Sequence, residues 1–282
     1  VDETVVNRTG VGQPAPAPAA DDRAGQAVVP EQRSRAAPSG VRARAPLPAP
    51  RSRLIGREAD LEAVGSLLGS HRIVTITGPG GAGKSTLSLA LARKVQAGHG
   101  PAGETEVILA ELAPVRDDAD VTRAVAEAAG VQGEGAVLTA SLAANLGPRD
   151  VLLVLDTCEH RLDATADLAD AVLDAGSRAR ILVTSREPLR VDGEAEHRIG
   201  SLGPESAQLF VERAVAAAGS GIASVDDPRV VDLCERLDGL PLAIELAAAQ
   251  LRHLSLQELV DRLDDRLTLL VGGRPKAGER HS

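Results

Sequence analysis

The chain has 282 residues and a formal net charge of −9 at pH 7, and 43% of its residues are hydrophobic. This length suffices for one large domain or two modest ones with a buried core, but with Phe210 as the only aromatic residue and no Met, that core must be built from Leu, Val, Ile and Ala. The acidic balance argues against an extended nucleic-acid-binding surface, because such surfaces concentrate Lys and Arg.

Cysteine spacing and hydropathy argue against several further classes of protein. Cys158 and Cys234 lie far apart and outside any zinc-ligand spacing, so we expect two buried free thiols and no metal or disulfide scaffold. No stretch is apolar over the length of a membrane span, and the N-terminus lacks a signal-peptide pattern. We therefore expect a cytoplasmic protein. Because the chain begins with Val1 and stops in a polar tail, we also expect it to be a piece of a longer one.

The N-terminal part differs in composition from the rest. Residues 1–50 hold eight of the 17 prolines and show little apolar periodicity. Such a segment cannot bury enough surface to offset its ordering entropy, which predicts a disordered Pro-rich linker. After Arg53, the spacing of Leu61, Val64 and Leu68 predicts the first helix of a folded region.

Four continuous apolar runs of strand length follow, at residues 72–77, 106–112, 151–156 and 180–185. Such runs are typical of strands that are covered on both faces. The segments between them have helical spacing, so the alternation predicts a parallel sheet with right-handed crossovers. Residues 196–202 are a candidate for a short fifth strand.

From Pro204 onward the pattern is helical throughout. Asp227 precedes Pro228 as a helix cap, and Ser255 and Glu258 form a capping box. These signals predict a small helical subdomain over residues 204–273, followed by a polar tail over 274–282.

The strongest motif is GPGGAGKS at residues 78–85, between the first predicted strand and a helix. Its glycines let backbone N–H groups converge on phosphate oxygens, and the helix directs its positive end at the same anion. The motif predicts a P-loop NTPase over residues 51–203, an α/β domain whose parallel sheet is covered by helices on both faces. The candidate phosphate-binding residues are Gly78, Gly80, Gly81, Ala82, Gly83, Lys84, Ser85 and Thr86.

Individual roles follow from the side-chain chemistry. Lys84 is predicted to reach the β and γ phosphates, Ser85 to ligate Mg²⁺, and Thr86 to contact the α phosphate. Asp156 ends the third strand, where a P-loop protein holds its metal; the alternative is a helix cap. Hydrolysis is expected to be slow, because Thr157 follows in place of a second acid.

Two further charged residues are candidates for the catalytic group. Glu159 is either a catalytic base or a carboxylate at the start of the next helix. Arg186 follows the fourth strand, where it either senses the γ phosphate or forms a surface ion pair.

Five segments occur in an order and spacing similar to the NB-ARC module of STAND ATPases. They are LIGRE, GPGGAGKST, LLVLDTCEH, ILVTSREPL and GLPLAIELAAA, within residues 53–275. The version that they resemble most is that of SARP-class, AfsR-like, bacterial transcriptional activators. The resemblance implies that Gly56 and Arg57 contact the adenine side and that Pro241 packs on the base. It makes Arg186 the sensor arginine and Asp156 the Walker B acid.

The resemblance also implies a function. It implies a switch that binds ATP or ADP with Mg²⁺ and hydrolyses ATP slowly. The bound nucleotide would control conformation or assembly in a regulator of secondary-metabolite (antibiotic) genes. The implied partners of the switch are the DNA-binding, winged-helix and sensor domains of the same protein, or further copies of the switch itself. DNA and RNA polymerase would be contacted only through those domains, and no membrane is involved. Two alternatives stay open from the residues themselves: an active P-loop ATPase or small-molecule kinase of metabolism, and an interaction scaffold with a dead site.

Overall fold

The computed structural model describes residues 47–50, 53–99, 105–219 and 224–271. Helices and strands are mixed up to the fifth strand, and the described elements after it are all helices. In chain order the elements are α1 (Glu58–Ser70), β1 (Ile73–Thr77), α2 (Lys84–Lys94), β2 (Glu106–Glu111), α3 (Asp118–Ala129), α4 (Gly135–Leu146), β3 (Val151–Asp156), α5 (Leu162–Asp174), β4 (Arg180–Thr184), β5 (Glu194–Arg198), α6 (Glu205–Ala218), α7 (Pro228–Arg236), α8 (Pro241–Gln250) and α9 (Leu256–Val271). The predicted linker up to residue 46 and the predicted tail over 274–282 lie outside the described residues.

The five strands form one parallel sheet in the order β2–β3–β4–β1–β5. The strands β1, β3 and β4 are almost completely buried, which confirms the prediction from their continuous apolar runs. The fifth strand exists, but it spans Glu194–Arg198 and so begins two residues before the predicted run. Because β4 lies between β1 and β3, the segments that follow these three strands meet at one edge of the sheet.

Two aliphatic layers cover the sheet. On one side, α3, α4 and α5 contribute residues such as Val125, Leu142 and Leu168. On the other side, α1 and α2 contribute residues such as Leu68 and Leu87. The α/β architecture predicted from the sequence is therefore confirmed, with a core of aliphatic side chains as the composition requires.

The helices α6–α9 form what we call the helical region (residues 205–271). Its core surrounds Phe210, which is fully buried, and it includes Ile55 and Leu202 from the α/β part. The predicted helix starts are confirmed at α7, where the Asp227 side chain accepts a hydrogen bond from the Arg229 amide at 2.9 Å. The capping box before α9 is confirmed by two hydrogen bonds, from the Ser255 amide to Glu258 Oε2 at 2.8 Å and from the Glu258 amide to Ser255 Oγ at 3.2 Å.

Two expectations about composition can also be compared with the structure. Cys158 and Cys234 are both free thiols in buried positions, and burial raises the pKa of Cys234 to about 11. Within the described ranges, no helix combines the length and the hydropathy that crossing a membrane requires.

Candidate functional site

The phosphate-binding loop (residues 78–85) runs from β1 into the first turn of α2. Gly78, Gly81 and Gly83 adopt φ angles of 149°, 79° and 95°, which side chains with a Cβ rarely adopt. A Cβ on Gly78 would overlap the carbonyl oxygen of Ile199, and a Cβ on Gly81 would lie 2.9 Å from Leu242 Cβ. The loop therefore needs glycine at these positions. It presents the unpaired amides of the start of α2 to any bound anion.

Lys84 is the first residue of α2 and is only 8% exposed. Its Nζ atom donates hydrogen bonds to the carbonyl oxygens of Gly78 at 2.9 Å and Pro79 at 3.0 Å, so the side chain lies along its own loop. Burial lowers the pKa of Lys84, and the nearby Glu159 carboxylate opposes that shift. The ammonium group is therefore held at the loop with a carboxylate as its strongest charged neighbour.

Asp156 ends β3 beside a buried hydroxyl group. Its Oδ1 atom accepts a hydrogen bond from Thr184 Oγ1 at 2.6 Å, and Thr184 Oγ1 in turn accepts one from the Thr157 amide at 2.8 Å. Because α5 begins only at Leu162, Asp156 is not the cap of that helix. Thr157 has a φ angle of 64°, which is rare for a β-branched residue, and strain of this kind occurs most often at functional sites.

Replacing Thr184 by valine is expected to destabilise the fold by about 1–3 kcal/mol, because the change leaves the Thr157 amide and an Asp156 oxygen without their buried partner. Thr184 is fully buried, and valine keeps its shape. Urea unfolding measures the loss of stability. A titration with Mg²⁺ and ADP is expected to show weaker Mg²⁺-dependent binding, because the Asp156 carboxylate is no longer oriented.

Thr165→Val is the matched control for Thr184→Val. Thr165 is also fully buried, but its hydroxyl donates to the Arg161 carbonyl oxygen at 2.6 Å, at the start of α5, and does not bond to Asp156. This control should leave Mg²⁺-dependent binding unchanged. Equal effects of the two variants on that binding would show that Thr184 does not orient Asp156.

Arg186 and Glu159 meet above the phosphate-binding loop. The Arg186 Nε atom lies 3.2 Å from Glu159 Oε1, and its Nη2 atom lies 3.6 Å from where a Cβ on Gly80 would be. The Glu159 side chain is 14% exposed and that of Arg186 is 61% exposed. Glu159 comes three residues before the first residue of α5, so it is a loop residue paired with Arg186 and not a first-turn carboxylate.

Arg57 holds the phosphate-binding loop through hydrogen bonds to backbone carbonyl oxygens. Its Nη2 atom donates to the carbonyl oxygens of Ala82 at 3.0 Å and Gly200 at 2.5 Å, and its Nη1 atom donates to Asp60 Oδ2 at 3.0 Å. The guanidinium is therefore engaged with backbone of the loop and of the segment after β5. The implied contact of Arg57 with adenine stays a prediction, whereas its role in holding the loop had no signal in the sequence.

A cavity of about 290 Å³ lies beside the phosphate-binding loop, and Asp156 and Arg186 are not among the residues that line it. Its walls come from the phosphate-binding loop, the segment of residues 53–57, the loop after β3 and the helices α6 and α8. It is lined by Arg53, Leu54, Ile55, Arg57, Gly80, Gly81, Ala82, Gly83, Lys84, Ser85, Thr86, Thr157, Glu159, Leu202, Leu209, Arg213, Pro241, Leu242 and Glu245. A larger cavity, of about 880 Å³, lies along β2 and α3 and contains none of the predicted site residues.

The helical region contacts the phosphate-binding loop directly. Pro241 is the first residue of α8, and the next amide, that of Leu242, donates to the Gly81 carbonyl oxygen at 3.2 Å. Pro241 thus lines the cavity, as Gly83 does from the loop. Gly56 does not line it: Gly56 has a φ angle of 65° and packs where a Cβ would lie 2.6 Å from Glu205 Cβ.

Among the residues that line the cavity on the side of the helical region, sequence reasoning missed a pair of charged ones, Arg213 and Glu245. Arg213 of α6 donates from Nε to Glu245 Oε1 of α8 at 2.9 Å, and from Nη2 to the Arg53 carbonyl oxygen at 3.4 Å. The Arg213 side chain is 17% exposed. The two residues lie on different helices and in no motif, so only the packing of α6 on α8 reveals them.

The residues of the site fit a Mg²⁺–nucleotide. Ser85 and Asp156 offer hydroxyl and carboxylate oxygens, the hard ligands that Mg²⁺ prefers, and Mg²⁺ commonly completes its shell with phosphate oxygens and water. Among the described residues, no group of three or more His, Cys, Asp or Glu side chains could hold a metal ion by itself. A metal at this edge of the sheet would therefore depend on the phosphates for its remaining ligands.

Relatives in Mycobacterium tuberculosis match most of this chain. One, named "Putative HTH-type transcriptional regulator", is 39% identical over 219 residues, which are 76% of this chain and 24% of that protein. Another, whose name gives no function, is 38% identical over 227 residues, which are 79% of this chain and 57% of that protein. The chain thus spans about a quarter of the first relative and somewhat over half of the second. No protein-family model matches it.

Two solved structures have a similar fold. The ORC1 protein of Aeropyrum pernix, solved in complex with DNA, has a TM-score of 0.55 and 21% identity over 79% of this chain and 70% of its own. A Walker-type ATPase of Pyrococcus abyssi has a TM-score of 0.50 and 15% identity over 78% of this chain and 74% of its own. Identities this low establish the fold alone. Together with the parallel sheet and the loop at residues 78–85, they show that the chain folds as a P-loop NTPase.

Proposed function

We propose that this chain is a nucleotide-dependent regulatory module, in which ADP or ATP bound with Mg²⁺ controls how the helical region sits against the phosphate-binding loop. The observation that carries the proposal is the direct bond from the Leu242 amide to the Gly81 carbonyl oxygen, at 3.2 Å. A ligand bound at such a junction shifts the conformational equilibrium by its differential affinity for the two arrangements.

The proposal assigns a role to each part of the site. The amides of the phosphate-binding loop and the Lys84 ammonium bind the phosphates, with Thr86 beside them, while Ser85 and Asp156 hold Mg²⁺. When bound, Mg²⁺ neutralises phosphate charge. Pro241 packs on the base from α8.

The base side of the site has a second proposed contribution, from the motif that contains Gly56 and Arg57. Arg57 lines the cavity and holds the loop through Ala82, so it would couple the base side to the phosphate side. Gly56 would act only through the backbone, since it packs against Glu205.

The NB-ARC resemblance and the named relative support a place for this module in a transcriptional regulator. The motifs quoted for the resemblance include the phosphate-binding loop, Asp156, Arg186 and Pro241, and three of these four line or adjoin one cavity. We propose a SARP-type activator of secondary-metabolite genes that works in the cytoplasm. Its DNA-binding and sensor domains, or further copies of itself, would be the partners of this module, and DNA and RNA polymerase would be reached only through those domains.

ATP turnover by this chain is expected to be well below the median enzyme value of about 10 per second. The reason is that Thr157 takes the position next to Asp156 in the sequence, while the other acid of the same motif, Glu159, is paired with Arg186. General-base assistance is typically worth about 10² to 10⁴ in rate. A phosphate-release assay measures the rate, with Asp156→Asn as the control for contaminating ATPases. Several turnovers per second that Asp156→Asn abolishes would favour the alternative, an active ATPase or a kinase.

A further inference from the structure

Lys84 and Arg186, two cations close to the phosphate-binding loop, have different kinds of partner. Lys84 has carbonyl oxygens of its own loop as hydrogen-bond partners, whereas Arg186 is held by a carboxylate at 3.2 Å. The Arg186 guanidinium nevertheless lies close to the loop, 3.6 Å from the Cβ position of Gly80. Arg186 can therefore reach either Glu159 or an anionic group bound on the loop.

The Glu159 and Arg186 side chains differ in how much of their surface is exposed to solvent. The Glu159 side chain is only 14% exposed, so its charge needs compensation, which comes from Arg186 and from the nearby Lys84 ammonium group. Arg186 is 61% exposed and can be solvated without Glu159. Removing the partner of a mostly buried carboxylate is costly, because the charge stays behind uncompensated. Any ligand that draws Arg186 away must therefore overcome this cost.

We propose that Glu159 is a positioning residue that sets the preference of this site for ADP over ATP, by holding Arg186 back from the terminal phosphate. The inference rests on the proposed nucleotide function and deepens it. A diphosphate is served by the loop amides and Lys84, which leaves the ion pair intact. A triphosphate carries further negative charge towards the edge of the sheet where Glu159 and Asp156 lie, so its binding must break or share the pair.

The charge of Arg57 at the loop is paired with Asp60, and the four other charged groups of the predicted site support this assignment. Lys84 and Arg186 carry two positive charges, and Asp156 and Glu159 carry two negative charges, so the set is neutral as a whole. Removing the charge of Glu159 leaves one net positive charge and frees Arg186. The site should then favour the more highly charged nucleotide.

The test is the ratio of two affinities, measured by calorimetry with Mg²⁺ present. The probes are ADP and the non-hydrolysable β,γ-methylene analogue of ATP. Glu159→Gln keeps the shape of the side chain and an acceptor oxygen for Arg186 but loses the charge. It is expected to shift the ratio towards the triphosphate by about tenfold. Removing one nearby charge typically changes a pKa by about one unit, and one pKa unit corresponds to a tenfold change in an equilibrium constant.

Two further variants make the test specific. Glu187→Gln removes a carboxylate directly beside Arg186 in sequence, but Glu187 is 65% exposed and lies 3.8 Å from Arg190, so the affinity ratio should not change. Arg186→Gln probes the same pair from its exposed partner, and because it leaves the Glu159 charge without that partner, circular dichroism verifies that the variant folds. It is expected to weaken the triphosphate selectively, and in the double variant the effect of Glu159→Gln should disappear.

Three results would overturn the inference. An unchanged affinity ratio in Glu159→Gln, with or without a fall in turnover, would leave Glu159 as a catalytic base or a structural residue. Equal weakening of both nucleotides by Arg186→Gln would show that Arg186 does not distinguish them. If the wild-type chain bound neither nucleotide, the proposed function would fail together with the inference. In the first two results, by contrast, the chain still binds nucleotide and only the inference fails.

Discussion

Lys84→Ala is expected to weaken ADP binding by about 10- to 150-fold, because charge-assisted hydrogen bonds to phosphate contribute roughly 1.5–3 kcal/mol. The fold should survive the change. The hydrogen bonds of Lys84 go to the carbonyl oxygens of Gly78 and Pro79 within its own loop, so the ammonium group contributes little to packing elsewhere. Calorimetric titration with ADP measures the affinity, and circular dichroism verifies that the helices remain.

Lys94→Ala is the matched control for Lys84→Ala. Lys94 ends the same helix and is exposed, so it shares the charge and the helix but not the site. Its replacement should leave ADP affinity unchanged. Wild-type ADP affinity in Lys84→Ala would remove the phosphate-binding role from this loop, whereas the absence of ADP binding in the wild-type chain would support a scaffold with a dead site.

Phe210→Ala is expected to destabilise the protein more than any other change considered. Phe210 is fully buried in the core of the helical region, and replacing a buried Phe by Ala typically costs about 3–5 kcal/mol. Each kcal/mol lowers the Tm of a domain of comparable size by roughly 2–4 °C. Thermal unfolding followed by circular dichroism therefore should show a loss of about 6–20 °C.

Val215→Ala on the same helix is the control for this change, since Val215 is 43% exposed and should contribute within about 0.5 kcal/mol. The shape of the transition carries further information. Because Ile55 and Leu202 belong to the core around Phe210, the α/β part and the helical region should unfold together. A separate early transition in Phe210→Ala would show that the helical region unfolds alone, and an unchanged Tm would contradict the assigned packing.

The features that the sequence predicted well are those encoded by neighbouring residues. The buried strands follow from continuous apolar runs such as residues 151–156, and the phosphate-binding loop follows from glycines at fixed spacing. The cap at Asp227 and the box at Ser255 depend on side chains within three residues of the amides that they satisfy. Short-range chemistry of this kind can be recognised before any packing is known.

The features that escaped prediction depend on residues that are far apart in the chain. The sequence predicts a fifth strand at residues 196–202, but its true bounds, Glu194–Arg198, escaped prediction, because the sequence EAEHR is polar and forms a strand by pairing with β1. Arg57 reaches the Gly200 carbonyl oxygen across 143 positions, and Arg213 meets Glu245 across 32. Glu159 was visible as a charged candidate, but its partner Arg186 follows a different strand. Only the order of the strands brings the two together.

The aliphatic core has a practical consequence for how this protein can be observed. The chain contains neither Trp nor Tyr and only one Phe, and both of its cysteines are free, so it has almost no near-ultraviolet chromophore of its own. A purine base absorbs strongly in that region. The absorbance spectrum of the purified protein therefore reports the nucleotide that it carries almost without background, whereas protein concentration has to be measured through the peptide bonds.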